Sequence, residues 1–402
     1  MIDPISPLPA VVALLVAMTT TSILVKKFGA PAIQGRFASI DGLRGYLAFF
    51  VFLHHSCIWY YYLKTDQWES PPSNLYTHFG ESSVIFFFMI TGFLFFSKLI
   101  KGKEKSIDWN QLFISRLLRL TPLYFFVIVF MFIIVASLSN WTLNEPLPKL
   151  IKGIISWFSF SILGSPDING FKFTSLILAS VIWTLPYEWF FYINLPILAR
   201  FINVKPPIMY IVFSIIASGV VLSYWHPGRM QLLPFLSGIT TAVLVRSDFF
   251  KTFALKKLSS FIIFGCICIA VICYPTAYRI IPIILLSISF ALIAGGNSFF
   301  GVLLSPVSRA LGEITYSIYL LHGVTLFCVF TFFLGTHNAK ALSPINYWFL
   351  VVCITPILIL VSFFTFRLIE RPAMQFTTTL TAWLNNHTFL QNKESIDCGT
   401  RT

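Results

Sequence analysis

Seven ionisable side chains, Arg44, His54, His55, Arg116, Arg119, Glu188 and His322, lie in or at the edge of runs apolar enough to cross a membrane. Charge is costly in hydrocarbon, so ionisable residues here are functional candidates by default, although His54 reads first as a satisfied core histidine. Arg44 and His55 are eleven residues apart, about three helical turns, which places them on one face with roughly 16 Å between their backbones. His54 points about a quarter-turn away, so only one of the two histidines shares the face of Arg44. An imidazole there can take a proton or an acyl group near neutral pH. Glu188, in "WTLPYEWFFY", lies about nine residues into its run, at a depth close to that of His55, where a carboxylate can orient an imidazole and hold a proton on it. Tyr192 follows at i+4 on the same face. A buried ion pair between Glu188 and an arginine is the structural alternative. His322, in "LGEITYSIYLLHG", also falls near mid-depth, either as a site residue or as a helix-to-helix hydrogen bond. Arg116 and Arg119 are spaced i, i+3 in "FISRLLRLTPLYFF", a fork that can grip phosphate bidentately.

The elements that must position these groups follow from composition. Hydrophobic residues make up 57% of the chain, charged ones 11%, and mean hydropathy is +0.81, which excludes an ordinary soluble domain. The fold class is an all-α polytopic transmembrane bundle. Apolar runs near 8–25, 43–63, 82–100, 121–139, 179–199, 207–224, 231–245, 259–274, 280–294, 310–334 and 347–366 are long enough to span, allowing for tilt. Pro186 and Pro196 are expected to kink the run at 179–199 and open room beside Glu188. Residues 150–164 are short and carry Lys152, and read as an interfacial or re-entrant helix on the outer side. The division is 1–40 (an extra N-terminal span and linker), 41–372 (the main membrane bundle) and 373–402 (a short tail).

Most of the 28 lysines and arginines, among them Arg36, Lys98, Lys101, Lys103, Lys105 and Lys257, fall on one side if the N-terminus is outside. The positive-inside rule then gives an outside N-terminus and a cytoplasmic C-terminus. The net charge of +13 suits anionic lipid headgroups, and no nucleic-acid motif accompanies it. Lys26 and Lys27 come after the first apolar run, which favours an uncleaved span over a signal peptide. The seven cysteines show no C-x-x-C pair, and neither a disulfide nor a metal site is read from them.

The motifs, in order, resemble those of the membrane-bound acyltransferase family three. Asp41-Gly42-Leu43-Arg44-Gly45 with Arg-x10-His ending at His55 is the most specific, followed by "FFFMITGFL", Arg116 and Arg119 with Pro122 and Tyr124, "WTLPYEWFFY", "LGEITYSIYLLH" and "RLIERP" at 367–372. Thr91, Thr184 and Thr315 stand where the family commonly has serine, and His54 duplicates the histidine. The resemblance covers residues 41 to 372 and implies a core of ten spans, with the span before Asp41 an addition.

It further implies transfer of an acyl group, usually acetyl, from cytoplasmic acyl-coenzyme A to a carbohydrate hydroxyl at the outer face. His55 would be the essential histidine, with Arg44, Arg116 and Arg119 near the coenzyme phosphates; the residue reading adds Glu188 as the group that orients it. Asp41, His54, Trp183, Tyr192, Tyr319 and His322 are candidates for lining the substrate tunnel. No permanently bound cofactor is expected; acetyl-coenzyme A is the co-substrate. The expected acceptor is the O-antigen of lipopolysaccharide or its lipid-linked precursor, at a bacterial inner membrane. Two other readings stay open: an acyltransferase acting on a lipid, peptidoglycan or a small metabolite, and a proton-coupled transporter using the buried His and Glu as a relay.

Overall fold

A computed structural model describes residues 3–31, 37–103 and 106–386. Arg36, Lys105 and the tail beyond residue 386 lie outside the described residues. The chain is a helical bundle, and no named strand occurs among the described residues. The helices are α1 (Pro7–Phe28), α2 (Ala38–Thr65), α3 (Asn74–Lys101), α4 (Trp109–Leu138), α5 (Leu147–Phe158), α6 (Thr184–Ile193), α7 (Leu195–Phe201), α8 (Ile208–Tyr224), α9 (Arg229–Leu244), α10 (Asp248–Ala254), α11 (Lys257–Cys273), α12 (Ile280–Ala294), α13 (Pro306–Glu313), α14 (Thr315–Cys328), α15 (Thr336–Ala341), α16 (Pro344–Thr365) and α17 (Arg371–Gln375). Among the described residues five helical stretches, or six if the bent α9–α10 pair is one, are long and apolar enough to cross a membrane, and α8, α11 and α12 are shorter apolar helices. This is a multi-pass membrane protein.

Helix α2 occupies the interior. Its residues from Gly45 to Phe49 and from Val51 to His54 are all buried, and it packs against α3, α13 and α14. A helix enclosed by others can hold histidines because it does not face lipid. Its opening motif has a packing reason as well as a polar one. A Cβ on Gly42 would sit 2.0 Å from the Leu303 carbonyl oxygen, one on Gly45 would sit 2.6 Å from the backbone of Leu311, and one on Gly312 would sit 1.9 Å from the Asp41 carbonyl oxygen. Gly45 and Gly312 let α2 and α13 meet backbone to backbone, and Gly42 does the same against the 3-10 turn before α13, which brings the Arg44 motif against the start of the "LGEITYSIY" motif.

Helix starts follow local chemistry. Ser73 caps α3, Asp108 caps α4 by accepting from Gln111 N at 2.8 Å, and Ser305 caps α13 with Pro306 at its first position. Helix α5 has 12 residues, about 18 Å, and exposes Leu147, Ile151 and Ile155 while burying Gly153, Ser156 and Trp157. It is too short to span and has the amphipathic face expected of an interfacial helix.

Two expectations are corrected. Residues 179–199 do not form one span: 174–183 fold as two 3-10 turns, and α6 and α7 break at Asn194. Pro196, in the first turn of α7, marks that break, whereas Pro186 sits in the first turn of α6, where a missing N–H costs little. The segment after Phe376 is also more than a tail: it stays helical to Asn386, and Asn385 bonds Asn110 and Asp108 at the start of α4.

Candidate active site

Two polar centres lie along α2. The first is a cavity of about 250 Å³ lined by Arg44, Arg116, Arg119, Glu188, Tyr192 and Tyr319, with Phe87, Phe88 and Phe95 among its apolar walls. Arg44 comes from the first turns of α2, the i, i+3 pair Arg116 and Arg119 from α4, and Glu188 from α6. Their charges are only partly spent on one another. Arg44 is 3.9 Å from Asp41; the Arg116 guanidinium lies 5.1 Å over the Phe95 ring, and its Nε is buried without a hydrogen-bond partner. Arg119 Nη1 is 3.5 Å from the sulfur of Met374. Glu188 accepts from the Tyr192 hydroxyl at 2.9 Å, as their i, i+4 spacing allows. A second cavity of about 240 Å³ shares Arg44 and Arg119 with the first and adds Asp41, Arg309 and Glu313.

The second centre is a pair of imidazoles. His322 Nε2 and His55 Nδ1 are 3.2 Å apart. His322 is fully buried and its Nδ1 lies 3.0 Å from the Ile318 carbonyl oxygen, which can only accept, so the proton is on Nδ1 and Nε2 presents a lone pair. His55 Nδ1 faces that lone pair and, at 2.9 Å, the Val51 carbonyl. Both are acceptors, so the neutral His55 carries its proton on Nδ1 and leaves Nε2 unprotonated. The His55 ring is half-buried and stacks at 6.2 Å on Trp68, from the segment joining α2 to α3; Trp68 in turn meets Trp59.

Tyr319 links the centres. It lines the arginine cavity, its ring is 6.2 Å from that of His322 one turn on, and its hydroxyl is fixed by the Val181 carbonyl at 2.9 Å and the Thr184 hydroxyl at 2.8 Å. The irregular segment 174–183 thus holds the tyrosine between cavity and histidines.

His54 turns the other way. Its Nδ1 donates to the Tyr76 carbonyl at 2.7 Å, and its ring fills the space a Cβ on Gly80 would need, 2.4 Å away. It does not line the arginine cavity. Trp183 is partly exposed and packs against Phe88, Tyr187 and Tyr278. The expected pairing of Glu188 with His55 is corrected: among the described residues Glu188 bonds Tyr192 beside the three arginines, and the side chain at hydrogen-bond distance from His55 is that of His322. Equal depth along two helices says nothing about which way the side chains face. Trp68 escaped sequence reasoning because it lies in a connecting segment. Its signal was an aromatic one turn beyond a helix already ending in "WYYYL".

The chain is thus a multi-pass helical bundle whose interior helix α2 contributes to an arginine-lined cavity and to a histidine pair with α14. A family model described as an acyltransferase domain matches residues 37–367, most of the chain. The chain belongs to that acyltransferase family. No curated protein and no solved structure matches it significantly.

Proposed function

We propose that this acyltransferase is an inner-membrane O-acetyltransferase that carries acetyl from cytoplasmic acetyl-coenzyme A to a hydroxyl of a surface glycan, the O-antigen of lipopolysaccharide or its lipid-linked precursor. The observation that carries the reading is the pairing of the arginine cavity with the His55–His322 couple through Tyr319. The Arg44 end of the bundle is also where Lys101, Arg246, Lys251 and Arg309 gather, which supports a cytoplasmic assignment for it. The Trp68 end then faces the periplasm, with the N-terminus there and the C-terminus inside.

The coenzyme phosphates meet the forked guanidinium groups of Arg44, Arg116 and Arg119, and the pantetheine arm extends past Tyr319 to bring the thioester to His55. The acceptor hydroxyl approaches from the Trp68 side. His55 Nε2 takes the hydroxyl proton as the oxygen attacks the thioester carbonyl. Collapse of the tetrahedral intermediate breaks the carbon–sulfur bond, and the leaving thiolate takes the proton from Nε2. His322 accepts the Nδ1–H throughout, fixing the tautomer, the part a carboxylate plays in a Ser-His-Asp triad. Glu188 partly neutralises the arginine cluster and, with Tyr192, shapes the cavity.

Mass spectrometry of the surface glycan from cells with and without the protein tests this. Loss of one acetyl per repeat on deletion supports the reading. An unchanged glycan, with acetyl lost from a lipid or peptidoglycan instead, would replace the acceptor.

A further inference from the structure

Helix α1 precedes the family-matched segment, yet its end forms part of a cavity of about 510 Å³. Phe28, Gly29 and Pro31 line it on one side, and Arg367, Arg371 and Met374 on the other. This space shares Pro31, Glu313, Phe366 and Met374 with the 240 Å³ cavity, which in turn shares Arg44 and Arg119 with the cavity of Glu188. The three are neighbours, separated by shared side chains, from the end of α1 to Tyr319. Five arginines line the two outer ones, against the carboxylates of Asp41 and Glu313.

The outer arginines are held by other contacts than close ion pairs, and share the single carboxylate of Glu313, which lines both outer cavities. Arg367 is sandwiched by α1 and α16, its guanidinium 4.6 Å over the Phe28 ring and 4.7 Å over the Phe363 ring. Arg309 Nη1 donates to the Pro31 carbonyl at 2.7 Å, while its Nε is buried without a partner. None of Arg309, Arg367 and Arg371 makes an ion pair among the described residues. The Phe28 ring at the end of α1 and the Pro31 carbonyl just beyond it thus hold Arg367 and Arg309 at the cavity walls, where with Arg371 three cationic forks face one carboxylate, Glu313. A coenzyme A head carries about four negative charges on its 3′-phosphate and pyrophosphate, more than the three inner arginines beside Glu188 can offset alone.

We propose that the two outer cavities together bind the 3′-phosphoadenosine end of the donor, with Arg367 and Arg371 of the larger and Arg309 of the smaller on the 3′-phosphate and α1 as a wall, so that the helix outside the family segment completes the donor site. The assignment rests on the acetyl-coenzyme A reading above. The pyrophosphate then falls to Arg44 and Arg119, which line both the smaller outer cavity and that of Glu188.

Isothermal titration of the purified protein with adenosine 3′,5′-bisphosphate and with adenosine 5′-phosphate tests binding without any transfer. Wild type is expected to prefer the bisphosphate by roughly tenfold, and Arg371→Ala, an exposed residue whose loss spares the fold, to abolish most of that preference. Phe28→Ala, which removes the ring under Arg367, is expected to reduce it without touching any arginine. A preference that survives both variants, or equal affinity in wild type, overturns the proposal. In transfer assays the KM gap between acetyl-coenzyme A and its 3′-dephospho analogue is expected to close in Arg371→Ala. Arginine-dependent bisphosphate binding by a protein that transfers nothing from acetyl-coenzyme A would support the nucleotide site and contradict the acetyltransferase reading.

Discussion

Replacing each of the two adjacent histidines by alanine separates packing from chemistry. His54 is buried, donates to the Tyr76 carbonyl at 2.7 Å and fills the notch over Gly80. Tyr76 O belongs to the third residue of α3 and keeps its helical acceptor role without the imidazole, so the lost hydrogen bond costs about 1 kcal/mol rather than a full desolvation penalty. The void left by a ring of about 60 Å³ adds about 1.5 kcal/mol at the usual cost per unit of cavity volume. His54→Ala should therefore destabilise by about 2–3 kcal/mol and keep most of its kcat. His55 is half-buried, and Val51 O, its i−4 carbonyl, likewise keeps a helical partner, so truncation should cost about 1 kcal/mol while removing the group that the proposed mechanism uses to take the hydroxyl proton. The rate should fall by about 10³-fold or more. The assay pairs unfolding of detergent-solubilised protein, followed by size-exclusion fluorescence, with acetyl transfer to isolated glycan. A stable but inactive His54→Ala together with an active His55→Ala would refute the reasoning.

His322→Ala should lower kcat by about 10²-fold with little change in the KM for acetyl-coenzyme A, and His322→Gln, whose carbonyl can still accept the His55 Nδ1–H, should recover part of it; steady-state kinetics on both checks this. Arg116→Ala and Arg119→Ala should raise the donor KM about tenfold while sparing the acceptor KM, with lysine restoring only part, and equal effects on both KM values would assign these arginines to folding. Gly312→Ala places a Cβ 1.9 Å from the Asp41 carbonyl and should separate α13 from α2, costing about 3 kcal/mol or more and displacing Arg44, seen as loss of folded protein or of donor affinity.

The sequence carried the bundle, since apolar length and charge sparsity leave few other folds, and it separated His54 from His55 because a 100° step per residue turns one of two neighbours away from Arg44. The i, i+4 relation of Glu188 and Tyr192 was legible for the same reason. What could not be read was how separate helices face each other. His322 and His55 are 267 positions apart and their contact depends on the rotation of α14 against α2, so depth counting brought Glu188 to His55 when the fold brings His322. The glycines at 42, 45 and 312 read as parts of motifs, and only the packed backbones show that they set the approach of α2 to α13 and to the turn before it. Helix α1 read as an addition because apolar content reveals a span but not what lies beyond its end; the ring of Phe28 under Arg367 is a tertiary fact.

The central claim is that donor and acceptor enter from opposite faces and meet at His55. Inverted membrane vesicles, with their cytoplasmic face outward, and intact spheroplasts are each supplied with radiolabelled acetyl-coenzyme A, which cannot cross the membrane, and label in the endogenous glycan is counted. The account predicts labelled glycan in inverted vesicles, none in spheroplasts, and none in either preparation carrying His55→Ala. Labelling of intact spheroplasts from external donor, or undiminished labelling in inverted vesicles of His55→Ala, would contradict it.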